Sequence, residues 1–191
     1  MRALIASLRS ELRLLRARAF LDTLPPAGDA LLLGPSFETV AEVMRSLGRP
    51  LFGWRRATLY RHALELARPA LVAQGLTPVA PLAHEALWVR VVHELGEAAL
   101  LHRLTPLEGR PGLARALGRT IGELRMLRVD RAGLEPALTA ALQAYEALLA
   151  SQGLVDRAGV YALALAAVAS SAPAPLLLLD VAAAPGLELD F

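Results

Sequence analysis

The chain has 191 residues, enough for one domain with a sizeable core and too few for two full domains. All 20 basic residues are arginine, which leaves no lysine for a phosphate loop, a Schiff base or a lysine-ending nuclease motif. With no cysteine, disulfides and thiolate-bound zinc or iron–sulfur groups are excluded, while the net charge of +2 allows a nucleic-acid surface without requiring one.

The spacing predicts an amphipathic helix over 2–20, with Leu4, Leu8, Leu12, Leu15 and Ala19 on one face and Arg2, Arg9, Arg13 and Arg16 along another. That face can pack on its own domain, meet phosphates or meet a partner subunit. Arg9 and Arg13 interrupt any signal-peptide core, so a cytoplasmic location is expected. Pro25-Pro26 and Gly28 then make a turn. Next comes the apolar run Ala30-Leu31-Leu32-Leu33, the turn Gly34-Pro35-Ser36, and a helix carrying Val40, Val43, Met44 and Leu47. This is the opening βα unit of a parallel sheet. Its turn has the outline of a phosphate loop without the lysine, although amides at a helix N-terminus can still hold phosphate.

Residues 49–59 read as a second strand that leads through Trp54, Arg55, Arg56 and Thr58 into a helix over about 59–74. The C-terminal ends of parallel strands are where ligands sit. Trp stacks on bases and Arg neutralises phosphate, which makes these four residues the candidate DNA contact; the alternative is a solvated strand end with Trp54 capping the core. From Pro69 to Gln152 the pattern is helical, with helices expected over about 81–102, 111–128 and 134–151 and no strand between them. His84-Glu85 and His93-Glu94 lack the second histidine of a zinc motif, so no metal is expected. Glu94, Glu97, Glu123 and Glu146 read as solvated partners of nearby arginines.

Residues 158–179 carry no charge and are long enough to cross a bilayer, but Ser170-Ser171-Ala172-Pro173-Ala174-Pro175 divides them. The expected structure is a buried helix followed by a central strand, with no membrane partner. The strand Leu176–Leu179 ends in Asp180, the form of a Walker B strand whose carboxylate would hold Mg²⁺. The glutamate expected after it is replaced by Val181-Ala182-Ala183-Ala184. Both leucine runs are too apolar to face water, so they are expected to be neighbouring parallel strands.

Four stretches in order carry a resemblance: Phe52-Gly53-Trp54-Arg55-Arg56-Ala57-Thr58-Leu59, the segment 111–125, Tyr145-Glu146 with Gly153-Leu154-Val155-Asp156-Arg157-Ala158, and Leu176 to Asp180. Together they resemble the N-terminal region of AddB-like subunits of bacterial helicase-nucleases, whose first domain is UvrD/RecB-type and whose later part is a PD-(D/E)xK nuclease. The resemblance implies an α/β fold: a degenerate, RecA-like P-loop NTPase parallel sheet with a large all-helical insertion, helix-rich overall. The implied division is an N-terminal helix and turn over 1–28, sheet core over 29–68, insertion over 69–152 and the rest of the core over 153–191, in an N-terminal fragment of a longer protein. It further implies a non-catalytic part in processing double-strand breaks for recombination and repair, touching DNA and a helicase-nuclease partner subunit. Gly34, Pro35, Ser36 and Asp180 would form a degenerate nucleotide site with no cofactor, and Trp54, Arg55, Arg56 and Thr58 would contact DNA. A free-standing nucleotide-binding protein and a helical interaction scaffold are the alternatives.

Overall fold

The structure, a computed structural model, describes residues 4–168 and 174–191. In chain order the elements are α1 (Ser10–Asp22), β1 (Ala27–Leu33), α2 (Phe37–Ser46), β2 (Phe52–Ala57), α3 (Leu59–Ala73), β3 (Thr77–Pro78), α4 (Pro81–Glu97), α5 (Pro111–Leu127), α6 (Pro136–Ser151), β4 (Leu154–Val155), α7 (Arg157–Val168), β5 (Leu176–Leu178) and α8 (Leu187–Asp190). Short 3₁₀ turns cover His102–Leu107 and Arg131–Gly133. The chain is thus a helix-rich α/β protein with a small parallel sheet. Its described residues divide into two compact units, one drawn from 1–62 and 170–182, the other from 63–169 and 183–191.

The first unit is built on the sheet, in the order β2-β1-β5. Leu31, Leu32 and Leu33 lie beside Leu176, Leu177 and Leu178 in parallel register, the pairing expected of the two leucine runs. On the other side Ala30 to Leu33 pair with Trp54 to Ala57, also in parallel. Side chains alternate across the sheet. Ala30, Leu32 and Leu179 pack with Ala17 and Leu21 of α1 and with Val40 and Val43 of α2, while Leu31, Leu33 and Ala57 face the other way toward Leu59 and Val181. Burial of β1 on both faces explains why it reads as a continuous apolar run instead of an alternating one.

Two expectations about this unit are corrected. The first helix spans Ser10–Asp22 and leaves out 4–9 of the expected 2–20, residues 2 and 3 lying outside the described residues, and the anticipated leucine face is exposed at Leu4, Leu8, Leu12 and Leu15. The residues that pack are Ala17 and Leu21, with Phe20 and Leu24 beside them, so the seam lies on a different stripe. The strand after the uncharged helix is an edge strand and not a central one, with Leu176 and Leu178 exposed on the face opposite Leu177. Ser170, Ser171, Ala172 and Pro173 of the expected turn lie outside the described residues. Among the described residues no helix is long and apolar enough to cross a membrane.

The second unit is helical. α4, α5 and α6 each start on a proline, whose missing N–H costs nothing in the first turn and whose fixed φ suits a helix. Apolar residues then recur at three- and four-residue spacing: Leu87, Trp88, Val91 and Leu95 on α4, Leu113, Leu117 and Ile121 on α5, and Leu142, Tyr145 and Leu149 on α6. Trp88 stacks on Tyr145 with ring centres 4.5 Å apart, and its indole N–H donates to His84 Nε2 at 3.2 Å. A Cβ on Gly118 would stand 2.8 Å from the Trp88 ring, so a residue without a side chain is required where α5 crosses it. The helix expected over 81–102 stops at Glu97, and a strand pair absent from the sequence reading joins Thr77–Pro78 in parallel to Leu154–Val155. At two residues each, these strands are too short to show alternation.

Candidate functional site

At the C-terminal end of β1 the chain leaves the sheet through Gly34, whose N–H donates to Ala57 O at 3.2 Å. A Cβ there would lie 2.5 Å from Val40 Cγ2 and 3.6 Å from the Leu179 carbonyl, so the glycine permits a close approach of loop, helix and β5. Gly34 and the Leu179-Asp180 step are therefore brought together at one end of the sheet. Pro35 is exposed, and Ser36 caps α2 by accepting the Thr39 N–H at 3.2 Å. The Glu38 carboxyl is held below its ordinary range by its own backbone N–H and by the Ser36 hydroxyl. The protein's own oxygens thus take up donors that a phosphate would use. Asp180 is likewise occupied: Arg13 donates to its two oxygens at 2.6 and 3.2 Å from Nε and Nη2.

The four candidate DNA residues separate. Trp54 and Arg56 lie on the α2 face of β2, with Arg55 on the opposite face. Trp54 packs on the core, its indole N–H donates to Pro25 O at 3.2 Å, and the Arg49 guanidinium lies 5.8 Å from its ring centre. Arg56 stands 4.2 Å from the centre of the Phe37 ring. Arg55 and Arg56 are exposed on an edge strand, and among the described residues neither has a carboxylate partner. Thr58 opens α3, its Oγ1 accepting the Arg61 N–H at 3.3 Å.

The densest charge cluster lies in the second unit and escaped the sequence reading. Arg125 of α5 donates to Asp156 Oδ2 and Oδ1 at 2.7 and 3.1 Å and also bonds Glu146 of α6, which accepts from Arg131 at 3.0 Å. Asp156 is buried, and it caps α7 by accepting the Gly159 N–H at 3.0 Å. Glu146 is therefore not the solvated partner expected of it; its arginines come from 15 and 21 positions away. The one sequence signal was an aspartate placed just before a helix, where a cap belongs. Glu94 does bond Arg90 at 2.7 Å one turn away, on the surface.

Beside this cluster Tyr145 is buried, and burial, then the charge of Asp156, pushes its phenol far above the ordinary value, with Arg125 opposing. Burial also pushes Tyr161 up to about 12, from 10.0. Groups whose folded-state pKa is raised contribute stability in full below the unfolded-state value, and that contribution is lost as pH rises through the folded-state value. The protein is therefore expected to weaken from pH 10 upward, each buried tyrosine adding a slope of up to about 1.4 kcal/mol per pH unit. Urea midpoints measured between pH 8 and 11 check this: Tyr145→Phe should flatten the alkaline fall, and an unchanged profile would show that Tyr145 is not its source.

Comparison with protein-family models gives no match for this chain, and comparison with curated proteins gives none.

Proposed function

We propose that this chain is a non-catalytic, helicase-like module that contacts DNA in a break-processing assembly, with a partner subunit supplying the motor and nuclease chemistry. In this reading the sheet with the Gly34-Pro35-Ser36 turn is a degenerate RecA-like core, and α4 to α6 are the helical insertion between its strands. The observation that carries it is the end of the sheet where a loop opening a helix lies beside an aspartate-ended strand, each blocked by the protein's own groups. Phosphoryl transfer needs a cation on the transferring group and a residue that orients the attacking water. Here no lysine exists, Arg13 covers Asp180, and Val181 stands where the glutamate is expected. The same occupancy weighs against a free-standing nucleotide-binding protein. The DNA contact rests on Arg55 and Arg56, exposed on an edge strand and, among the described residues, without acidic partners, more than on Trp54, whose ring is tied to the core.

Fluorescence-anisotropy titration of the purified chain with unrelated single-stranded and duplex oligonucleotides tests the reading. Binding is expected to be weak and indifferent to sequence, to fall between about 50 and 200 mM salt as counterion release demands, and to occur without ATP turnover. No binding at low salt would overturn it, as would ATP turnover that Asp180→Ala abolishes.

A further inference from the structure

A second feature of the molecule has no part in that reading. Between α4 and α5 runs a groove of about 290 Å³. At its base the buried Trp88 packs against Gly118, and Ala114, one turn before Gly118 on α5, and the exposed Val89 of α4 line it. The bond from the indole N–H to His84 Nε2 fixes the ring in place. On the α5 rim Arg115 and Arg119, also one turn apart, are exposed, and among the described residues neither has an ion-pair or hydrogen-bond partner. Arg90 and Arg125 of the same unit do pair with carboxylates. Across the groove Glu85 supplies one negative charge against those two.

We propose that this groove binds a small organic acid with a flat apolar body. The exposed Val89 side chain and the short residues Ala114 and Gly118 leave an apolar slot narrow enough to favour a flat body, and two neighbouring guanidiniums offer forked donors that suit a carboxylate. The volume lies at the lower end of ligand pockets, which restricts the body to about one or two rings.

Benzoate is the probe, with benzamide as its neutral counterpart of like shape and acetate as the same charge without the ring. The full chain labelled with ¹⁵N gives two tryptophan indole N–H signals, and Trp54→Phe identifies which belongs to Trp88. Benzoate is expected to shift the Trp88 signal saturably, with a dissociation constant on the order of millimolar. Benzamide and acetate should each bind at least about tenfold more weakly, and the exposed pair Arg115→Gln with Arg119→Gln should cost benzoate a similar factor while the remaining spectrum is kept. A benzamide affinity equal to that of benzoate would overturn the anion requirement, and equal acetate affinity would overturn the flat body. Unchanged binding in the double variant, or no saturable shift with benzoate, would remove the site altogether.

Discussion

Arg125→Met is expected to lower stability by about 3–5 kcal/mol, read as a fall in the urea midpoint with an unchanged slope. The loss comes less from the removed bonds than from what they leave behind. Asp156 is buried and Glu146 half-buried, so a methionine of similar length would strand one carboxylate away from water and deprive the other of its nearer cation. The double variant Arg125→Met with Asp156→Asn separates these causes. Asparagine still caps α7 through its side-chain oxygen and carries no charge, so the pair should recover a substantial part of the loss. If the second substitution adds fully to the first, the two residues do not interact as their geometry requires.

Trp88→Ala is expected to cost about 3–5 kcal/mol, from lost burial and from the cavity left behind. Trp88 is 1% exposed, stacks on Tyr145 and fills the space that Gly118 leaves open. No larger neighbour can relax into that space without moving α5. With a urea slope near 2 kcal/mol per molar, the midpoint should drop by about 2 M. Trp88→Phe keeps a ring against Tyr145 and loses the bond to His84, so it should cost well under half as much. A Trp88→Ala midpoint within about 0.3 M of the parent would mean that the three-helix core is not organised around this residue.

The elements that sequence reasoning placed were those whose physics is local. Leu31–Leu33 read as a buried strand, and the two leucine runs as parallel neighbours. Errors arose where several answers satisfy the same local rule. Leu4, Leu8, Leu12 and Leu15 make a regular stripe, but a second stripe through Ala17 and Leu21 meets the sheet, and periodicity alone does not choose between them. The pairing of Arg125 with Asp156 spans 31 positions and depends on how α5 and α7 are set side by side. Thr77–Pro78 and Leu154–Val155 gain their identity as strands only from each other. For the candidate site, Gly34 and Asp180 were read as neighbours from the strand pattern, while the arginine that covers Asp180 lay 167 positions away and gave no sign.

DNA binding by the double variant Arg55→Ala with Arg56→Ala tests the account most directly. Both residues are exposed on β2, so their removal should leave the fold intact, and the triple variant Arg9→Gln, Arg16→Gln, Arg18→Gln on the exposed side of the N-terminal region is its counterpart. In anisotropy titrations over a series of salt concentrations, the β2 variant is expected to bind more weakly and to show a salt slope reduced by up to about two phosphate contacts, with the N-terminal variant much closer to the parent. An unchanged affinity and slope in the β2 variant, beside a loss of binding in the N-terminal variant, would contradict the assignment of the DNA surface to the strand edge.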